Sequence, residues 1–241
     1  MIVIPMAGRS QRFFDAGYRQ PKYMLDVAGR SVFAHAVDSF RDVFEQERFL
    51  FILPEGTAAA DFVRDQCAAL GVRDYALVSL TQPTAGQAET VALGLDHLST
   101  PATTPLTIFN IDTFRPGFIF PGPPLEAMDG WLEVFRGEGA NWSYVRPAPG
   151  PEPLALETAE KRPISDLCCT GLYHFARAGD FRRALEAERA APQAAELYVA
   201  PLYNHLIQAG AQIGYREIPR AQVIFCGTPA EYEGLLTGDA P

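Results

Sequence analysis

Met1-Ile2-Val3-Ile4-Pro5-Met6, running on into Ala7-Gly8-Arg9-Ser10-Gln11-Arg12-Phe13, is the stretch from which the chain is best read. Apolar residues without polar alternation over positions 1–6 predict a short strand buried on both faces. A loop with Gly8, Gly17 and Gly29 follows. Ser31 then stands as the N-cap of a helix whose Val32, Phe33, Ala36, Val37, Phe40 and Phe44 recur at helical spacing. Outward from there the two periodicities alternate. Residues 48–53 predict a buried strand, 57–70 a helix closed by Gly71, 75–80 a strand, 87–98 a helix, and 106–110 a strand ending at Asp112. This β-α-β-α-β-α-β order predicts an open, mostly parallel sheet flanked by helices.

The second half changes character. Residues 115–124 hold Pro or Gly at more than half of their positions and predict a long surface loop. Short strands are expected at 131–135, 142–145, 168–175, 212–218 and 223–225. Helices are expected at 181–189, 202–209 (opened by Pro201) and 229–236, the last with Glu231 in its first turn. The expected organisation is one α/β domain over 1–241. Residues 1–112 are its first half, and 113–241 a mixed half carrying an inserted, substrate-facing lobe.

Composition excludes several classes. With 48% hydrophobic and 20% charged residues in 241, a packed core is expected and wholesale disorder is not. A formal net charge of −9 without a basic block argues against a nucleic-acid partner. Apolar runs are too short for a membrane span, and no basic-then-apolar leader opens the sequence, so a cytoplasmic location is expected. Cys67, Cys168, Cys169 and Cys226 lack metal-site spacing and read as reduced thiols. Among the 20 basic residues only Lys22 and Lys161 are lysines. In so arginine-biased a chain, the two positions where a compact ammonium persists stand out.

The loop after the first strand has the ingredients of an anion cradle. Backbone amides around Ala7 and Gly8, the Ser10 hydroxyl and the Arg12 guanidinium all lie within a few residues, and Lys22 lies ten further on. It is neither a Walker A loop, lacking the Gly-Lys-Ser/Thr ending, nor a GxGxxG fingerprint. The same residues would also suit an ordinary strand-to-helix connection. Asp112 ends a buried strand on the side where open α/β sheets bind ligands, so it is suited to hold Mg²⁺ against phosphate oxygens or, alternatively, to open the next turn.

Taken together, Pro5 to Phe13, then Gly17-Tyr18, Pro21-Lys22 and Asp26-Val27-Ala28-Gly29-Arg30, resemble the signature loop of sugar-phosphate nucleotidylyltransferases. The resemblance spans roughly residues 1–235 and is weakest over 113–155. It implies a Rossmann-like fold with a nucleotide-binding half over 1–112 and a sugar-phosphate-binding half over 113–241, in which the loop wraps a nucleoside triphosphate, with Arg12 and Lys22 as catalytic residues and Ala7, Gly8 and Ser10 binding phosphates. Gln82-Pro83-Thr84-Ala85-Gly86 is similar to the family's base-recognition turn, which implies nucleobase contacts from Gln82 and Gly86. Glu160-Lys161 is similar to its sugar-phosphate pair, and Cys169-Thr170-Gly171-Leu172-Tyr173 to the strand whose glycine, here Gly171, admits the sugar. Asp112 resembles its metal-binding aspartate. The chain's two lysines thus fall on the two positions where the family has phosphate-binding lysines.

The implied reaction is transfer of a nucleotidyl group to a sugar 1-phosphate, with Mg²⁺ as cofactor, supplying precursors for surface polysaccharide or capsule. A homo-oligomer is compatible with it. One match is incomplete: many relatives carry a second aspartate where this chain has Phe225, next to Cys226, so that either one aspartate with triphosphate and water suffices for Mg²⁺ or another carboxylate such as Asp166 or Glu196 substitutes. Ser10 replaces the commoner glycine. Arg9 either assists or faces solvent. His35, His97, His174 and His205 read as structural or surface residues, and Phe114, Phe118 and Phe120 as a lid or an oligomer contact. The competing readings are a cytidylyltransferase acting on a non-sugar phosphate such as a phosphorylated amino alcohol, and a non-catalytic nucleotide-binding regulatory protein. A GT-A glycosyltransferase would need an Asp-x-Asp motif that Asn110-Ile111-Asp112 does not supply.

Overall fold

The computed structural model describes residues 1–238. In chain order the strands are β1 (Ile2–Pro5), β2 (Asp26–Val27), β3 (Arg30–Ser31), β4 (Phe49–Pro54), β5 (Tyr75–Leu80), β6 (Leu106–Phe109) and β7 (Thr113–Phe114). They continue with β8 (Gly130–Arg136), β9 (Ser143–Pro147), β10 (Ala155–Glu160), β11 (Leu167–Phe175), β12 (Ile213–Glu217) and β13 (Ile224–Phe225). The helices are α1 (Gln11–Asp15), α2 (Val32–Asp38), α3 (Thr57–Leu70), α4 (Gln87–His97), α5 (Ala178–Ala190), α6 (Leu202–Gln208) and α7 (Pro229–Thr237). The architecture is the mixed α/β sheet with flanking helices that the alternation predicts.

The chain divides into two compact units interleaved in sequence. The first comprises Met1–Val3, Thr84–Phe109 and Phe120–Arg220. The second comprises Ile4–Pro83, Asn110–Ile119 and the chain from Ala221 onward.

In the second unit the strand order is β1-β4-β5, with β4 and β5 parallel and in register from Phe49↔Tyr75 to Pro54↔Leu80. Residues Phe49 to Leu53 are all fully buried, which is why they read as an unbroken apolar run. Helix α3 packs on β4 and stops at Gly71 (φ 83°), whose N–H and that of Val72 both return to the Cys67 carbonyl at 2.9 and 3.0 Å. Phe33, Phe51, Phe62 and Tyr23 form one aromatic cluster, with neighbouring ring centroids 5.2–5.9 Å apart.

Two expectations change here. The helix capped by Ser31, whose hydroxyl accepts from Ala34 N–H, ends at Asp38 rather than reaching Phe44. There the Ser39 hydroxyl accepts from the buried Arg115 N–H at 2.8 Å, and the chain tightens into a 3₁₀ turn over Arg41–Val43. Phe114 and Phe118 are core residues and not a lid: Phe118 packs 5.1 Å from Phe40, and Phe114 stacks on His35 at 4.9 Å.

In the first unit the order is β10-β9-β11-β6-β1, with β8 pairing β11 on one side and β12 on the other. Strands β1 and β6 are parallel, as are β8 and β12, whereas β11 runs antiparallel to β6, β8 and β9. Strand β10 was not legible in the sequence. Its residues Ala-Leu-Glu-Thr-Ala-Glu favour a helix by intrinsic propensity, and antiparallel pairing with β9 overrides that. The unit's core stacks Phe175 on Tyr203 at 4.5 Å and sets Phe181 edge-on to Phe175 at 5.3 Å.

His174 lies in this core, stacked on Trp131 at 5.2 Å with Nδ1 3.0 Å from the Thr107 hydroxyl. Burial, aided by the nearby N-terminal ammonium, lowers its pKa from 6.5 to about 4. A depressed folded pKa means stability that is complete above the unfolded value and lost as pH falls through the folded one. Acidification from about pH 6.5 to about 4 is therefore expected to remove on the order of 3 kcal/mol. Urea midpoints of wild type and His174→Asn across that window check this, and the variant should lose most of the slope. All four cysteines are free and buried, and among the described residues no helix is long and apolar enough to cross a membrane.

Candidate active site

In the second unit the loop after β1 is tied down at several points. Met6 N–H donates to the Ile52 carbonyl at 2.7 Å. Ser10 adopts a left-handed conformation (φ 51°, ψ 28°), and its carbonyl accepts from Phe13 N–H at 2.9 Å as α1 begins. Phe13 is buried and faces Tyr18 and Tyr232, and those two tyrosines are themselves packed edge-on at 5.4 Å. These anchors leave Gly8, Arg9 and Arg12 exposed while fixing the backbone that bears them. A Cβ on Gly8 would meet nothing within 4 Å, so the glycine leaves one side of the loop open.

Lys22 starts a 3₁₀ turn behind Pro21, held by the burial of Tyr23. Its N–H donates to the Ser10 hydroxyl at 3.2 Å, which closes the loop, and its Nζ lies 2.5 Å from Asp112 Oδ2. Both side chains of this ion pair keep about a fifth to a quarter of their surface exposed (24% and 21%). Asp112 is placed by its own carbonyl, which accepts from Cys226 N–H at 2.8 Å. A Cβ at Gly227 would stand 3.0 Å from Asp112 Oδ2. Glycine thus lets the 226–228 backbone approach the carboxylate. Glu231 Oε2 accepts from Gly227 N–H and Thr228 N–H, each at 2.9 Å, and completes a capping box on α7.

The donor set bears on whether this site suits Mg²⁺. Asp112 offers one hard oxygen ligand. The Cys226 thiol beside it is pushed up to about 12, by burial first and then by Asp112, and stays protonated. Glu231 already accepts two backbone hydrogen bonds. Among the described residues no group of three or more His, Cys, Asp or Glu side chains is arranged to hold a metal. One carboxylate fits an ion that takes its remaining ligands from phosphates and water, as Mg²⁺ does, and does not fit an all-protein cage. Of the alternative carboxylates, Asp166 pairs with Arg136 and Glu196 accepts from the Tyr198 hydroxyl at 3.0 Å. Gln82 is exposed just beyond β5.

The first unit holds the remaining residues singled out in the sequence. Gly86 caps α4 with φ 154°, and its carbonyl accepts from the Thr90 hydroxyl at 3.2 Å. A Cβ there would fall 2.5 Å from the Leu197 carbonyl oxygen, because Leu197 is stitched to this turn by two bonds. Leu197 N–H donates to Ala85 O at 3.0 Å, and Ala88 N–H donates to Leu197 O at 2.8 Å. Gly86→Ala is therefore expected to cost roughly 2–3 kcal/mol, read as a lowered denaturation midpoint with an unchanged m-value.

Glu160 ends β10 and accepts from the Ser143 hydroxyl, which in turn accepts from Tyr173 Oη at 3.4 Å. Burial raises the Glu160 carboxyl above its ordinary range, against the pull of Ser143 and Lys161. Lys161 follows in a left-handed conformation (φ 53°), and its Nζ donates to the Tyr198 hydroxyl at 2.6 Å. Gly171 (φ 94°) is buried and sits where the β11–β8 register shifts between Cys169 and Tyr173, a bulge in the strand.

The structure therefore brings together Ser10, Lys22 and Asp112 in one unit and, in the other, ties Glu160 to Ser143 and Lys161 to Tyr198. Ser143 and Tyr198 were missed. They lie 17 and 37 residues from the Glu160 and Lys161 they touch, so no local motif signals them.

A family model described as MobA-like NTP transferase domain matches residues 2–167. The crystal structure of a nucleoside-diphosphate-sugar pyrophosphorylase from Vibrio cholerae is 49% identical with a TM-score of 0.93, covering 98% of this chain and all (100%) of that one. An inositol-1-phosphate CTP transferase from T. maritima shares the fold at 14% identity and TM-score 0.73, covering 98% and 94% of the two chains. UTP-bound UGPase from Acinetobacter baumannii does so at 17% identity and 0.69, covering 98% and 92%. A search of curated proteins gave no match. With the family model spanning more than half of its length, this chain belongs to the MobA-like NTP transferase domain family, and is a nucleotidyltransferase of Rossmann-like fold.

Proposed function

We propose that this nucleotidyltransferase moves a nucleotidyl group from a nucleoside triphosphate to a sugar 1-phosphate, giving an NDP-sugar and pyrophosphate. The observation that carries the reading is the placement of the chain's two lysines. Lys22 closes the loop after β1 against Asp112, and Lys161 stands beside Glu160 at the end of β10. The 49% identity to the Vibrio cholerae pyrophosphorylase supports it.

An oxygen of the acceptor phosphate attacks the α-phosphorus of the triphosphate. The new P–O bond forms as the bond to the bridging oxygen toward the β-phosphorus breaks, and pyrophosphate leaves with that electron pair. The attacking oxygen is already anionic at neutral pH, so no general base is required. Positioning and charge neutralisation supply the acceleration. Ala7, Gly8 and Ser10 bind the triphosphate, Arg12 and Lys22 neutralise the departing pyrophosphate, and Gln82 and Gly86 contact the base. Glu160 accepts from sugar hydroxyls, Lys161 holds the acceptor phosphate, and Gly171 lets the sugar approach the backbone. Asp112 would hold Mg²⁺, whose charge at that point draws electron density from the phosphates. These local cations act at short range, where they outweigh the long-range field of a −9 chain.

The proposal carries with it a single functional domain, a cytoplasmic location and a role in surface-polysaccharide precursor synthesis. Phosphorus NMR of triphosphate, Mg²⁺ and acceptor with the protein tests it. The expected result is a diphosphate diester and pyrophosphate growing in equal amounts with a sugar 1-phosphate. Product only with a phosphorylated polyol or amino alcohol would replace the sugar with a non-sugar acceptor. Triphosphate binding without product from any acceptor would point to a regulatory protein.

A further inference from the structure

Resting on the acceptor-phosphate role proposed for Lys161, we infer that Tyr198 is a positioning residue that aims the Lys161 ammonium at the acceptor phosphate and so sets acceptor affinity. Lys161 is exposed, and a free lysine stem samples many rotamers. Here its Nζ donates to Tyr198 Oη at 2.6 Å while lying 4.7 Å from the centre of the same ring. The hydroxyl accepts from the ammonium and donates onward to Glu196 Oε1 at 3.0 Å, so the chain of donors has one direction. A hydroxyl satisfied in this way takes one of three ammonium protons and leaves two for a ligand.

Tyr198 is itself held in place. Leu197, next to it, is bound on both sides by the turn at Ala85 and Ala88. Two residues on, the buried Ala200 carbonyl accepts from the Thr158 hydroxyl at 2.6 Å. Thr158 lies on β10, the strand that ends at Glu160. The ring is therefore fixed relative to the strand that delivers Lys161, which a surface tyrosine in contact by chance would not be. The Lys161 pKa is raised, the Tyr198 hydrogen bond being the largest cause, and Glu160 and Glu196 add to it.

Tyr198→Phe keeps the ring and removes the hydroxyl. Because the chain holds two lysines, protein carrying carbon-13 at the lysine ε position gives two lysine signals, assignable by Lys22→Arg. In Tyr198→Phe the Lys161 titration should move to lower pH. Steady-state kinetics should show the acceptor KM rising about tenfold, with the triphosphate KM within twofold. Lys161→Met should cost the same with or without Tyr198→Phe, as expected of two residues acting as one unit. An unmoved Lys161 signal, equal changes in both KM values, or additive losses would overturn the role of Tyr198. Failure of the wild type to use any phosphorylated acceptor, with the Lys161 signal still shifted by the mutation, would instead overturn the acceptor reading on which this role rests.

Discussion

Lys22→Ala is expected to lower kcat/KM by about 10³-fold, on the order of 4 kcal/mol of transition-state stabilisation. The size follows from what is removed. In the proposed reaction the ammonium meets charge that grows on the departing pyrophosphate, and a preorganised cation in that place is worth more in the transition state than in the ground state. Its preorganisation is visible in the structure: the Lys22 N–H is tied to Ser10 and its Nζ to Asp112. Stability should change little, by about 1 kcal/mol or less, because a partly exposed ion pair contributes weakly to folding. Lys22→Arg should recover only part of the loss, since a planar fork does not reproduce a compact ammonium. A stopped assay with a matched thermal denaturation curve separates lost chemistry from lost fold.

Asp112→Asn is the second large effect, again about 10³-fold in kcat, with an accompanying rise in the Mg²⁺ concentration needed for half-maximal rate. The amide keeps the shape and the backbone bond from Cys226 but offers a neutral oxygen. Among the described residues no cluster of metal-ligating side chains stands ready to take over. Cys226 stays protonated, and Glu231 is committed to Gly227 and Thr228. A Mg²⁺ titration monitored by thermal shift in the presence of triphosphate provides a readout independent of turnover. The variant should need more metal for the same shift. An unchanged metal requirement would place the ion elsewhere.

Most of the fold was legible because the first half alternates in runs long enough to show their period. Helix α3 and strand β5 fall on the expected residues, with Gly71 closing the helix. The failures have separate physical causes. Helix α2 is shorter than its apolar spacing suggests because the Ser39 and Phe40 N–H groups bond three residues back and Phe40 leaves helical dihedrals, while the Ser39 hydroxyl meets Arg115, a partner 76 residues away. Strand β10 is written in helix-favouring residues and exists through its pairing with β9. Phe114 and Phe118 lie among prolines and glycines that suggest an exposed loop, yet their rings are buried with His35 and Phe40. Among the candidate residues, Lys22, Asp112, Glu160 and Lys161 stood out through composition, strand ends and family resemblance. The groups that orient two of them, Ser143 and Tyr198, come from distant segments and carry no signal of their own.

Pyrophosphate release is the most direct test of the central claim. Wild type and Lys22→Ala would be compared with Mg²⁺ across the common nucleoside triphosphates, each with and without a panel of sugar 1-phosphates. The account predicts release that requires one triphosphate together with one sugar 1-phosphate and that falls about 10³-fold in the variant. Release without an acceptor, or equal release by both proteins, would contradict it.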